Sequence, residues 1–258
     1  MIDNRAIIAK GAKIGSGVAI GPFSIIGKNV EIGDGTWIGS HVVIEGHTKI
    51  GKNNKIFQFA AVGGVPQDKK YKDEPTKLII GNNNMIREFC SLHTGTGHGG
   101  GVTKVGDDNL LMCYSHVAHD CMLGNENVLA NYVGLSGHVT IGNFTVLSGF
   151  AKVAQFLTIG DYSFIGGNTD VAKDVLPYVI AIGSLETIKV YGLNLIGLKR
   201  RGFSEETIKN LKRAYKTIFR ENLTVKEAIP KLEKMVAVCP EVQGFIDMLQ
   251  KSEKGVVR

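Results

Sequence analysis

An all-β parallel β-helix with a small α-helical C-terminal domain is the fold class this 258-residue sequence predicts, on three observations. An aliphatic residue returns every six positions over long stretches. Glycine is abundant where proline is rare, 33 against 6. The formal net charge of +6 falls entirely in the last quarter, because residues 1–185 carry 15 basic and 15 acidic side chains while residues 186–258 carry 15 and 9.

The periodicity comes first. Ile8, Ile14, Ile20, Ile26, Ile32, Ile38, Ile44, Ile50, Ile56 and Val62 form ten consecutive β-branched positions, and seven of them are followed directly by glycine. Ile80, Ile86 and Leu92 continue the series. After a phase slip, twelve more run at the same spacing from Val105 to Val171. On an α-helix, positions six apart are rotated by about 240° and scatter around the cylinder; on a strand, six is even and they share one face. β-branched side chains suit strands, and a glycine in most repeats opposes helix and permits sharp corners between short strands. The chain therefore turns a corner every hexad, three hexads close a triangular coil, and the aliphatics stack inside.

The series is interrupted twice. Asp68 and Glu74 stand where aliphatics belong between Val62 and Ile80, and the gap from Leu92 to Val105 is thirteen. Loops ejected from the coil are expected near 66–77 and 94–103, the second being glycine-rich (Thr94-Gly95-Thr96-Gly97-His98-Gly99-Gly100-Gly101). Excursions from a rigid scaffold are where binding groups concentrate.

The hexads fade after Val171, which places the β-helix in residues 1–185 and the helical domain in 186–258. Ser204 followed by Glu205 and Glu206 reads as a helix N-cap with acidic residues complementing the dipole, ahead of an apolar face of Ile208, Leu211, Tyr215, Ile218 and Phe219. Thr224-Val225-Lys226-Glu227 matches a capping box, and Pro230 is expected to kink or restart that helix. Pro240 suits the first turn of a last helix that presents Val242, Phe245, Ile246 and Leu249.

Composition narrows the function. No apolar run approaches the ~20 residues of a membrane span, and the N-terminal stretch lacks the apolar core of a secretory signal. Cys90, Cys113, Cys121 and Cys239 form no CxxC pair, which fits reduced thiols in a cytoplasmic protein and indicates no metal or redox motif. The basic C-terminal quarter suits an acidic partner surface or phosphate groups, or is a solvated helix surface; charge alone leaves both open.

A filled β-helix interior puts any chemistry on its outside, and a smooth prism needs a loop, a helix or a neighbouring subunit to make a cleft. Seven histidines are the acid–base candidates. His116 and His119 flank the inward Val117. Three apart, they lie on opposite faces of an extended segment, which weakens a two-histidine metal chelate, and no third ligand is evident nearby. Asp120 directly follows His119 and is a candidate to orient its ring.

At this point particular motifs stand out. They are Ser40-His41-Val42-Val43-Ile44 with Gly46-His47-Thr48-Lys49-Ile50-Gly51, Gln67-Asp68 before Lys70-Tyr71, Asp108-Asn109-Leu110-Leu111-Met112, His116-Val117-Ala118-His119-Asp120, Gly137-His138-Val139 and Gly197-Leu198-Lys199-Arg200-Arg201-Gly202-Phe203. Together they resemble the UDP-N-acetylglucosamine O-acyltransferases, hexapeptide-repeat transferases that begin lipid A biosynthesis. The resemblance spans nearly the whole chain. It implies left-handed winding, against the usual right-handed crossover, and a homotrimer with sites between subunits. It implies transfer of an (R)-3-hydroxyacyl group from acyl carrier protein to the 3-hydroxyl of UDP-N-acetylglucosamine, with no cofactor, metal, nucleic acid or membrane insertion.

The family's catalytic histidine maps onto His119, supported by Asp120, and its oxyanion-binding amide maps onto Gly137. Gln67, Asp68, Lys70, His93, His116, His138 and Gln155 map onto positions that bind or orient substrate. Asn194, Arg200 and Arg201 map onto nucleotide contacts, and Phe164 and Gly167 onto the positions that measure the acyl chain. Acyl carrier proteins are strongly acidic, which gives the basic tail a task. The chain departs from the family pattern at Thr94 (commonly arginine), Ala154 (commonly histidine) and Ile196 (commonly glutamate). Two rival readings follow the same residues: an acyltransferase acting on a 3-amino sugar nucleotide, and a β-helical zinc carbonic anhydrase, which needs three metal-bound histidines across an interface.

Overall fold

The computed structural model describes residues 1–258. Each hexad folds as a short strand and a corner, and successive strands join three sheets in rotation, with nine, eight and ten members. The aliphatic positions pair in register along each sheet. In the first sheet Ile26 stands on Ile44, Ile44 on Val62, Val62 on Leu92 and Leu92 on Val117. In the second, Ile32, Ile50, Ile80 and Val105 follow one another; in the third, Ile38, Ile56, Ile86 and Leu111. Nearly all these side chains are fully buried, in one continuous core. Burying each contributes roughly 1.5–3 kcal/mol, so the repeat itself supplies the driving force for coiling.

The glycines serve a purpose other than the expected corner geometry. Left-handed backbone at the corners is carried mostly by aromatic, Asn, Asp and His residues, such as Phe59, Phe89, Tyr114, Tyr132 and Phe150. Those five stack outside one corner at centroid spacings of 4.7–5.0 Å, the rise from coil to coil. A glycine after the inward aliphatic instead allows coils to touch: a Cβ at Gly33 would lie 2.6 Å from the carbonyl of Gly51, and one at Gly51 2.5 Å from that of Gly81.

Both loops leave at the same corner, between the first sheet and the second. Residues 65–76 separate the strands Ala61–Gly64 and Lys77–Ile80, and residues 94–101 separate Ser91–His93 from Val102–Val105. Lys77, Val102 and Thr103 thus already belong to strands. The second loop contains a short 3-10 turn, Gly97–Gly99.

Sheet pairing extends past residue 185, because the strand Lys189–Leu193 folds back antiparallel on Val179–Ile182 and buries Val190 and Leu193 over the last coil. The helical region follows as α1 (Leu195–Arg200), α2 (Glu205–Phe219), α3 (Val225–Val236) and α4 (Gln243–Lys251). The Ser204 cap and the Thr224–Glu227 capping box are both formed. Pro230 does not end its helix: α3 continues to Val236. The proline is exposed, so water can satisfy the carbonyl its missing N–H leaves unpaired. No helix is long and apolar enough to cross a membrane. Ser252 donates to Asp174 (2.6 Å) and the Tyr178 hydroxyl to the Glu241 carbonyl (3.1 Å), which ties the helices to the coil.

Candidate active site

The corner that ejects the loops also carries Asp120, His138 and Phe156, each eighteen residues apart and each in left-handed backbone (φ 59°, 63° and 65°). Eighteen residues is one full coil, so the three stack. The His138 and Phe156 rings lie 4.3 Å apart and nearly parallel, and the His138 N–H donates to the His119 carbonyl at 3.0 Å.

This corner corrects the expectation that His116 and His119 point to opposite faces. Strand geometry stops at Val117 and the corner has begun by His119, so that both histidines line one groove with Gln67, Gly137, Lys152 and Gln155. It also supplies the third group that the linear sequence did not reveal. His119, Asp120 and His138 hold potential ligand atoms within 4.8 Å of one another. Two are histidines, not three, and His119 Nδ1 is hydrogen-bonded to Asp120 Oδ2 at 2.8 Å; a cation bound there would have to displace that proton.

The His119–Asp120 pair is almost wholly enclosed, the carboxylate only 1% exposed. Its oxygens accept further bonds from the Thr96 N–H (2.9 Å) and the Thr96 hydroxyl (2.7 Å), and the Asp120 N–H donates to Thr103 Oγ1 (2.8 Å). With Nδ1 engaged, His119 Nε2 is the free nitrogen. Gly137 lies directly against it: a Cβ there would sit 2.4 Å from His119 Cε1 and 2.7 Å from Nε2. The Gly137 N–H has no partner within the chain.

Neighbouring imidazoles are biased toward the neutral form. Burial lowers the pKa of His116, reinforced by His119, and its Nδ1 pairs with the Ser91 hydroxyl at 2.7 Å. Burial also lowers that of His138, against the opposing pull of Asp120. His93 is pushed down to about 4, first by burial and then by His116, and its Nδ1 is buried without a partner. It lies beneath the groove rather than in its wall. In the first loop the Lys70 N–H holds the Asp68 carboxyl below its ordinary range, and His98 from the second loop reaches Asp68 at 3.1 Å.

The remaining sequence candidates lie elsewhere. Asn194 caps α1, accepting from the Gly197 N–H (3.1 Å) and donating to the Tyr162 carbonyl (2.9 Å), so both ends of its amide are engaged. Arg201 pairs with Glu126 and stacks over Phe144 at 4.6 Å, while Arg200 ends the same helix in solvent. Glu126 and Phe144 belong to the corner between the second and third sheets, a full side of the triangle from His119. Phe164 and Gly167 flank the corner between the third sheet and the first; a Cβ at Gly167 would meet nothing closer than the Gly149 carbonyl at 3.6 Å. Sequence reasoning missed Thr96, Thr103, His98 and Lys152, the last paired with Asp170 at 2.7 Å. The one-coil interval of eighteen residues was a usable signal for Lys152, which sits eighteen after the groove residue Gly134.

Known proteins are similar to this chain over its whole length. Residues 174–257 match the profile of UDP-N-acetylglucosamine O-acyltransferase domain 2, and residues 29–64 that of the bacterial transferase hexapeptide (six repeats). The chain is 47% identical, over its whole length and 99% of the relative's, to the acyl-[acyl-carrier-protein]–UDP-N-acetylglucosamine O-acyltransferase of Thiobacillus denitrificans. The corresponding protein of Halorhodospira halophila is 46% identical at the same coverage. The solved structure of LpxA from Acinetobacter baumannii superimposes with a TM-score of 0.97 at 49% identity, covering 100% of this chain and 99% of that one.

Proposed function

The chain belongs to the acyl-[acyl-carrier-protein]–UDP-N-acetylglucosamine O-acyltransferase family, and from that premise we propose that it moves an (R)-3-hydroxyacyl group from acyl carrier protein to the 3-hydroxyl of UDP-N-acetylglucosamine, the first step of lipid A biosynthesis, with His119 as general base. The observation that carries the assignment of the base is the 2.8 Å bond from His119 Nδ1 to a buried carboxylate, which leaves Nε2 as the nitrogen available to the groove.

A sugar hydroxyl is a weak nucleophile at neutral pH. As its oxygen attacks the thioester carbon, Nε2 takes the proton, and Asp120 stabilises the imidazolium; such positioned base catalysis contributes roughly 10²–10⁴-fold. The carbonyl electrons move to oxygen, where the free Gly137 N–H is placed to donate to the oxyanion. The intermediate collapses, the C–S bond breaks, and the departing thiolate recovers the proton from His119. Neither a covalent enzyme intermediate nor a metal is part of this scheme. Asp68, Lys70, His116, His138 and Gln155 orient substrate around the groove, with His93 supporting His116 from below.

Asn194, Arg200 and Arg201 stand near another corner than His119, so one protomer does not bring nucleotide and thioester groups together. That separation supports a homotrimer in which the site is completed between subunits. The basic surface of residues 186–258 suits the acidic carrier, where complementary charge speeds encounter. A glycine at 167 beside Phe164 favours a longer acyl chain than a bulky residue would admit.

The test is mass spectrometry of the product formed from a panel of acyl-carrier thioesters offered with UDP-N-acetylglucosamine and its 3-amino analogue. An alkali-labile ester on the glucosamine 3-oxygen is expected; exclusive amide formation on the amine would overturn the acceptor. His119→Ala is expected to lower kcat at least about 100-fold while substrate still binds, and undiminished turnover would remove His119 from the base role.

A further inference from the structure

We propose that Thr96, in the glycine-rich loop, is a positioning residue for the reaction: it locks the Asp120 carboxylate in the one rotation that keeps His119 oriented as a base. The inference rests on the reading of His119 given above.

The Asp120 carboxylate has three close donors. His119 Nδ1 is one; the other two are the N–H and the hydroxyl of Thr96, at 2.9 Å to Oδ1 and 2.7 Å to Oδ2. The loop thus supplies most of the bonding to a charge that has almost no water to turn to. A carboxylate buried in this way is stabilised only by the donors it finds.

The direction of the Thr96 hydroxyl is set by its surroundings. Its oxygen accepts from the Gly99 N–H at 3.1 Å, at the start of the 3-10 turn. His98 Nε2 lies 3.5 Å from the same oxygen, but it faces the Asp68 carboxylate at 3.1 Å and so serves as a donor. That leaves the hydroxyl proton for Asp120 Oδ2, the oxygen that also receives His119 Nδ1–H. Thr96 is fully buried, so no solvent competes for it.

The backbone of the loop is shaped around the same carboxylate. A Cβ at Gly99 would fall 2.2 Å from Asp120 Oδ2, and one at Gly95 2.8 Å from Oδ1. Side chains at either position would push the loop off Asp120 and take both Thr96 bonds with it. This gives Gly95 and Gly99 a reason to be there that a tolerated surface insertion lacks.

Without the hydroxyl, the carboxylate keeps the Thr96 N–H on Oδ1 and His119 on Oδ2 but loses one of its three donors, so its rotation is less tightly fixed. His119, bonded to that same Oδ2, is then held less firmly, and its Nε2 spends less time aimed at the groove. Thr96 touches no substrate, so the effect falls on the chemical step and not on binding.

The experiment compares Thr96→Val, which removes the hydroxyl at nearly constant volume, with Thr96→Ser, which keeps it. Thr96→Val is expected to lower kcat about 10- to 50-fold with KM for both substrates within twofold, the range for a group that orients a catalytic base. Thr96→Ser is expected to stay within threefold of the parent. In Asp120→Asn the Thr96→Val change should cost little more, because two residues acting through one contact are not additive. Thermal melting checks folding, and should the valine variant melt early, Thr96→Ala carries the same expectation with less bulk. A kcat within twofold for the hydroxyl-free variants, a serine variant as poor as valine, or a rise in KM at constant kcat would each overturn the proposal. His119→Ala is assayed in parallel: if it stays active the base assignment itself fails, whereas an inactive His119→Ala beside a fully active Thr96→Val removes Thr96 alone.

Discussion

Adding one methyl group at Gly137 is a stringent test of the catalytic corner. The new Cβ would stand 2.4, 2.7 and 3.1 Å from His119 Cε1, Nε2 and Nδ1, against the 3.5–4.0 Å that carbon atoms keep at optimal contact. The backbone there is held by the coil above, since Gly137 O accepts from the Phe156 N–H. The ring must therefore yield by about 1 Å, which strains or breaks its bond to Asp120. A displacement of that size at a reacting group costs on the order of 10²-fold, so Gly137→Ala is expected to lower kcat about 100-fold. Thermal melting checks that the coil itself stays folded. Steady-state kinetics with separate titration of each substrate measures it. Gly192→Ala, where an added Cβ meets nothing within 4 Å, controls for generic loss of a glycine. A kcat for Gly137→Ala within twofold of the parent would refute the idea that His119 is held against this backbone.

Two further outcomes follow from the same geometry. Burial holds His93 down to about 4, while in the unfolded chain it titrates near 6.5; between those values the unfolded state binds more protons, so stability falls as pH falls, by roughly 3 kcal/mol in full at about 1.4 kcal/mol per pH unit. Denaturant melts between pH 7 and 4 should show that slope diminished in His93→Gln, and a His93 ring resonance titrating near 6.5 in the folded protein would contradict it. Replacing Arg200 by alanine is expected to raise KM for the nucleotide or the carrier several-fold and to weaken its dependence on salt, with the coil intact by circular dichroism. Unchanged KM for both substrates would exclude Arg200 from either contact.

Much of the architecture could be read in one dimension. Ile26, Ile44 and Val62 face inward because six is even along a strand, and the helix caps at Ser204 and Thr224 are local chemistry. His119 and Asp120 were reachable as neighbours within a distinctive motif. Thr96 was not, because its partner lies 24 residues away across an excursion of irregular length. The faces of His116 and His119 were misjudged because an extended backbone was assumed past Val117, where the strand ends and the corner begins. Arg201 maps onto a nucleotide contact in the sequence and is paired with Glu126, 75 positions distant.

What the sequence determined alone was the inside of the molecule. Apolar periodicity dictates which side chains leave water, and burial of that kind is indifferent to the details of any corner. What the tertiary structure decided was the outside, where the chemistry is. Corner dihedrals and the lengths of two inserted loops choose which residues of successive coils meet, and those quantities act through backbone geometry rather than through the pattern of polar and apolar residues. Thus Thr96, Asp120, His119, Gly137 and His138 form one cluster only once the chain has been wound.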